Sequence, residues 1–364
     1  MRTNRILPAL VIACVLPLWA WAQNPSQNPA APPKEPPHEL TASEKKIDDE
    51  ISGAIKKLKA IQSASASIRV TADMLSQKFR LAGEYLKAPN YRVKYVLRLL
   101  DLGDSTGFMQ QACDGVTRWN FIKILDGQQC SKLSLKPVLT ALNKPECDAD
   151  FRDNIIAGLG FAGPESLLAG LRKSFLLDQM RPGEFEGKPV WIIVGTWKDT
   201  TVDIGPNGQK FGNFAPLPPY IPSLVTIYLG KDDGWPYQVA FEGRIPPQIE
   251  GKAKDDRIIG PDGRPQGKKT STPTGKPSKI TLVYSNVKLN AVIGDDEFAF
   301  APPNGVKPSD ETDIVVAQLD EFVRQLASKK KADAAKATPV LGDALKATPP
   351  GGEGPAKLPG DVPK

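Results

Sequence analysis

Histidine is almost missing from this chain. His38 is the single example among 364 residues, and it sits in a Pro-rich stretch. Neither a Ser-His-Asp nor a Cys-His arrangement can therefore form inside a folded domain. The four cysteines make no CxxC, which, with one histidine, speaks against a structural zinc site; no metal or other cofactor is expected. Phosphate-cradling loops are lacking too. Gly158-Leu159-Gly160 and Gly205-Pro206-Asn207-Gly208 have no strand-to-helix context and read as turns. The carboxylate runs Asp48-Asp49-Glu50, Asp232-Asp233 and Asp295-Asp296-Glu297 fall at helix-surface or turn positions, where solvated turn chemistry explains them. The expectation is a protein that is not an enzyme. A dense basic stripe is also absent: the formal charge is +6, and loss of Arg2 and Arg5 with a leader leaves +4, which argues against a nucleic-acid partner.

A long apolar run occurs once, at the start. Arg2 and Arg5 precede Ile6 to Trp19, and Ala20-Trp21-Ala22 has the small-x-small form of a cleavage site. Residues 1–22 are thus expected to be a signal peptide cleaved after Ala22, giving a periplasmic or otherwise exported protein. A rival reading is lipoprotein processing at Cys14, after Val11-Ile12-Ala13. Against it, apolar sequence continues through Leu16, Leu18 and Trp19. The mature chain would keep Cys113, Cys130 and Cys147. Cys113 falls on a strand as a small buried residue, and Cys130 with Cys147 is the favoured disulfide pair because the two flank an amphipathic segment.

What the chain does have is alternation. Ile68, Val70 and Met74 alternate with Arg69, Thr71 and Asp73; Phe79, Leu81 and Tyr85 with Lys78, Arg80 and Glu84; Val93, Tyr95 and Leu97 with Arg92, Lys94 and Arg98. One face is greasy and the other wet, as in an antiparallel meander. Asp114-Gly115 then marks a hairpin leading to a strand with Trp119. Before this sheet, Thr41-Ala42-Ser43-Glu44 forms a capping box opening an amphipathic helix through Ile47, Ile51, Leu58 and Ile61, which should lie across the sheet. Helical patterns return over 133–142 and 154–180. In the second, Leu167, Leu171 and Phe175 share a face after Gly163-Pro164 and mark a lid helix, with Gly183 ending the run. Further strands are expected over 189–197, 224–229, 237–244 and 280–289, then a last helix around Ile314 to Leu326.

Residues 23–39 read as a linker, 40–327 as one domain, 246–279 as a mobile basic insertion and 328–364 as a disordered tail. The fold class is α+β: about eight to eleven strands in a curved antiparallel sheet, a half-open barrel, with helices covering the concave apolar face.

Four stretches resemble the LolA/LolB-like family of periplasmic lipoprotein carriers, which includes outer-membrane lipoprotein-sorting proteins. They are the helix running into Ile61-Gln62-Ser63, the turn Gly83 to Arg92, Asp114-Gly115 followed by Trp119, and Phe298-Ala299-Phe300-Ala301-Pro302-Pro303-Asn304-Gly305-Val306. The resemblance implies an apolar surface for acyl chains, formed by Ile68, Val70, Met74, Phe79 and Leu81, with Tyr85, Val93, Tyr95, Leu97 and Trp119. The implied partner is lipid or an acylated lipoprotein, with transient membrane contact or none. Ala88 departs from the family, whose better-studied carriers place a lid-latching arginine there. Two other roles stand beside the carrier: an envelope-stress regulator with a protein partner, and a structural envelope protein with a packed barrel.

Overall fold

Helix α1 (Ala42–Ala60) starts as its sequence dictates. Thr41 Oγ1 accepts from the Glu44 backbone N–H at 3.3 Å, and Glu44 Oε2 accepts from the Thr41 N–H at 2.7 Å, so two end donors are satisfied reciprocally. Thr41→Ala is expected to lower unfolding stability by about 1 kcal/mol, read as a shift in the urea midpoint at unchanged slope. The apolar stripe Ile47, Ile51, Ala54 and Leu58 is buried throughout. The computed structural model describes residues 40–74, 77–100, 107–198, 221–244 and 276–337, together with two short strand pairs given below. The expected leader, linker, most of the basic insertion and the end of the tail lie outside the described residues.

Strands β1 (Ala64–Met74), β2 (Gln77–Ala88), β3 (Arg92–Leu99), β4 (Gly107–Asp114), β5 (Thr117–Ile124) and β6 (Gly127–Ser134) form an antiparallel meander. Helices α2 (Leu135–Leu142) and α3 (Ala149–Ile156), a π-helical turn (Ala157–Phe161) and α4 (Pro164–Ser174) follow. A second meander comprises β7 (Phe175–Phe185), β8 (Lys188–Trp197), β11 (Pro222–Gly230), β12 (Pro236–Gly243) and β15 (Lys279–Leu289). The pairs β9 (Val202–Asp203) with β10 (Lys210–Phe211), and β13 (Ile258–Ile259) with β14 (Pro265–Gln266), stand apart from it. A 3-10 turn (Asp295–Phe298), β16 (Ser309–Asp310) and α5 (Thr312–Ala337) complete the order.

The two meanders share one open twelve-stranded sheet, ordered β16-β6-β5-β4-β3-β2-β1-β15-β12-β11-β8-β7. Strand β1 is the seam, pairing with β2 on one side and β15 on the other. Only β16 against β6 runs parallel among the described pairs. The fold is the expected curved α+β half-barrel. Its main core joins α1 and α4 to one face of both meanders, and a smaller cluster joins Leu133, Val138, Ala141 and Leu142 to Leu319 of α5.

Several local expectations need correction. Helix α4 stops at Ser174, so Phe175 is its C-cap and the first residue of β7 rather than part of a lid helix, and Gly183 lies within β7. Leu133 lies in β6 instead of opening a helix, which begins at Leu135. Helix α5 runs on to Ala337, into the segment expected to be disordered. Cys130 and Cys147 are not bonded: Cys113, Cys130 and Cys147 are all free, buried thiols. The sheet separates the pair. Cys130 stands opposite Phe121 on the face away from α1, whereas the Cys147 thiol packs against the Ala141 carbonyl of α2.

Candidate functional site

Cross-strand register decides which expected lining residues meet. Ile68 is flanked by Gly83 and Tyr284, Val70 by Leu81 and Leu282, Tyr85 by Tyr95, and Gly83 by Leu97. Ile68, Val70, Leu81, Tyr85, Val93 and Leu97 are each buried on the helix-covered face. Met74, Phe79 and Tyr95 share that face but remain half-buried. Gly83 permits this geometry, because a Cβ there would run into the Val96 carbonyl oxygen of β3.

Trp119 is the exception. Its ring lies tilted against Phe300 with centroids 5.7 Å apart, and Phe121 meets the same ring at 6.3 Å, so both lie on the outer face. The closing Phe298 to Val306 segment thus covers the back of β3–β5 rather than extending the sheet. Phe298 is buried there beneath the Arg92 guanidinium, itself ion-paired to Asp295. The inward place beside Cys113 belongs to Arg118, which is 9% exposed. Its Nη1 donates to the Leu159 carbonyl at 2.7 Å and its Nη2 to Glu311 at 3.1 Å, while Nε is buried without a partner. Burial depresses the Arg118 pKa and raises that of the Cys113 thiol to about 11, keeping that sulfur protonated and unreactive.

The cover over the concave face has two parts. Helix α1 lies along it, with Gly234 of the β11–β12 turn so close to Ala54 that a Cβ would sit 2.9 Å from the Ala54 Cα. Lys57 Nζ donates to the carbonyls of Lys231 and Asp232. Helix α4 packs on α1 through Leu168 and Leu171, with Leu167 half-buried in the same cluster. Arg172 grips Asp48 through two bonds of 2.5 and 2.7 Å, and that hydrogen bonding holds the Asp48 carboxyl below its usual range.

The π-turn before α4 is pinned to the sheet from beneath. Gln111 Nε2 donates to the Gly160 carbonyl at 2.7 Å, Arg118 holds Leu159, and Phe161 meets the Tyr91 ring edge-on at 5.8 Å. Gly160, at φ 91°, makes the bend. Lys87 adds an ion pair to Glu165 of α4 at 2.8 Å. Ala88 is buried and pairs with Arg92 on the outer face, so the tie from β2 to the cover comes from the residue beside it.

Sequence reasoning missed three members of this arrangement. Trp235 and Tyr284 enter from the second meander, and their rings meet edge-on at 5.6 Å; Trp235 also lies 6.5 Å from Tyr85. Lys87 and Glu165 form the third, and no local pattern links residues that far apart. Among the described residues no group of His, Cys, Asp and Glu could hold a metal, and no helix is long and apolar enough to cross a membrane.

No family model matches the chain. No curated protein matches it by sequence either. Among solved structures, it is similar to a DUF1329 family protein from Desulfovibrio piger, at 9% identity and TM-score 0.30 over 71% of this chain and 98% of that one. It is also similar to the MucA/MucB complex structure of Pseudomonas aeruginosa, at 9% identity and TM-score 0.30 over 71% of this chain and 62% of that one. A third is a putative outer membrane lipoprotein-sorting protein domain from Vibrio parahaemolyticus, at 9% identity and TM-score 0.27 over 69% and 94%. Likeness at this level assigns neither ligand nor partner to this chain.

Proposed function

We propose that this is an exported, non-catalytic binder of an acyl chain, held on the concave face between the sheet and its cover of α1, α4 and the π-turn before α4. The observation that carries the reading is incomplete sealing. Ile122 of β5 faces the covered side, and Leu139 of α2 and Phe161 of the π-turn pack towards the same core, yet each remains half-buried. Apolar surface left open under a cover can be filled by hydrocarbon. Each methylene removed from water contributes about 0.8 kcal/mol, so a chain of about twelve carbons gains on the order of 10 kcal/mol before the cost of ordering. Such a site needs area and shape, which fits a chain without a catalytic constellation.

One observation favours a second reading. Tyr85, Trp235 and Tyr284 fill the concavity beside α1 with the protein's own rings, and a filled barrel would serve better as a regulatory surface for a protein partner. Native mass spectrometry of protein purified from the cell envelope, with uptake of a fluorescent fatty acid, separates the two. Co-purifying lipid and saturable uptake are expected. Lipid-free protein that takes up no probe, but pulls down one stable protein partner, would replace the carrier with the regulator.

A further inference from the structure

The outer face of the sheet carries a row of cations that the closing segment leaves open. Cross-strand register aligns Arg69, Ala82, Arg98, Phe108, Lys123 and Gln128, one from each of β1 to β6. The next row on that face includes Val96 and Phe121, both buried, with Phe300 against Phe121. In the open row Arg69 and Arg98 are exposed and Lys123 is half-buried. Neighbouring acids are already engaged: Glu84 pairs with Lys94 at 3.1 Å, and Asp73 lies 3.7 Å from Lys78. Among the described residues, Arg69, Arg98 and Lys123 have no carboxylate partner. Arg98 instead lies over the Phe108 ring, 5.5 Å from its centroid. At the end of the same strands, Leu100 after β3 and Leu125 in the β5–β6 turn are 47% and 38% exposed. Asp126 shares that turn, beyond the row, and Asp101 and Asp104 lie outside the described residues.

Spacing and company narrow the partner. Neighbouring strands stand about 4.8 Å apart, so three cations on alternate strands span about 19 Å along the sheet. That is more than one phosphate or carboxylate can satisfy, whereas an array of anions attracts each cation separately. The leucines at the end of the row add apolar tips to the charge, the combination that holds a protein where lipid heads give way to hydrocarbon. A polyanion without hydrocarbon would leave both leucines in water. We infer that Arg69, Arg98 and Lys123, with Leu100 and Leu125 beside them, dock the protein on an anionic lipid surface. The inference stands on register, charge and exposure of the outer face, and is independent of what the concave face holds.

Co-sedimentation of the chain from Gln23 onward with vesicles tests it, using phosphatidylcholine alone and an equimolar mixture with phosphatidylglycerol. Binding to the mixed vesicles only, falling as salt is raised, is expected. Each cation near such a surface is worth about fivefold, so Arg69→Gln, Arg98→Gln and Lys123→Gln together should weaken binding by about a hundredfold. Lys45→Gln, Lys46→Gln and Lys56→Gln, at exposed positions of α1, change the net charge equally and should weaken it by less than about fivefold. Leu100→Ser with Leu125→Ser should remove the part of the binding that survives high salt. Equal losses in the two triple variants overturn the docking row, as does an unmodified chain that binds neither vesicle. Row-dependent binding to polyglutamate with none to vesicles also overturns it, and assigns the row to an acidic protein. Failure of fatty-acid uptake with vesicle binding intact removes the carrier reading and leaves the row standing. Should the row variant not fold, judged by circular dichroism, Arg69→Gln alone should still cost about fivefold, and no change there overturns the inference.

Discussion

Trp235→Ala is expected to lower the free energy of unfolding by about 3–5 kcal/mol, the range for truncating a buried aromatic. The side chain is 1% exposed and sits where three parts of the fold converge. Its ring packs on Tyr85 of β2 and Tyr284 of β15, the two strands flanking the seam strand β1. Its own turn carries the carbonyls of Lys231 and Asp232 that hold Lys57 of α1, and Gly234, immediately before it, abuts Ala54. Truncation therefore opens a cavity bounded by both meanders and a helix, and rigid neighbours of that kind collapse little. Urea unfolding measures the loss. Val116→Ala, at a 68% exposed turn position, serves as the control and should change stability by less than about 0.5 kcal/mol. A Trp235 variant as mild as that control would mean the concave interior is loosely filled around the ring.

How much of this was readable in the sequence depended on whether a strand has one wet face. Strands β1 to β3 do, and their alternation placed Ile68, Val70, Leu81, Tyr85, Val93 and Leu97 correctly on the covered side. Strand β7 is the sheet edge, with Pro182 and Gly183 near its end and most of its residues at least partly exposed, so its period-two signal is weak and it passed for helix. Trp119 failed for a different reason. Hydrophobicity places a tryptophan inside and the adjacent arginine outside, but tertiary partners reversed that order: Leu159 and Glu311 satisfy Arg118 within, and Phe300 covers Trp119 without. Cys130 shares the Phe121 side, so the same reversal removed the expected disulfide. The aromatic filling could not have been foreseen from period or spacing, since Trp235 and Tyr284 reach Tyr85 only through the β1–β15 pairing that joins the meanders.

Arg118 carries the other large expected effect, and it should be asymmetric. Glu311→Ala leaves a guanidinium that is 91% buried with one carbonyl partner, an unpaired Nε and no counter-charge. Removing one member of a buried pair costs about 3–5 kcal/mol because the remaining charge is uncompensated, and the lower end applies since the Glu311 side chain is 35% exposed. Arg118→Met should cost less, because Glu311, freed, turns to water while methionine fills the space of the arginine stem. It also releases the Leu159 carbonyl, so amide hydrogen exchange over residues 157–161 should accelerate even where global stability is nearly kept. The double variant Arg118→Met, Glu311→Leu should be more stable than Glu311→Ala alone. If Glu311→Ala and Arg118→Met cost the same and exchange over the π-turn is unchanged in both, Arg118 neither bears an uncompensated charge nor pins the cover. The inward arginine would then be a matter of sheet register alone.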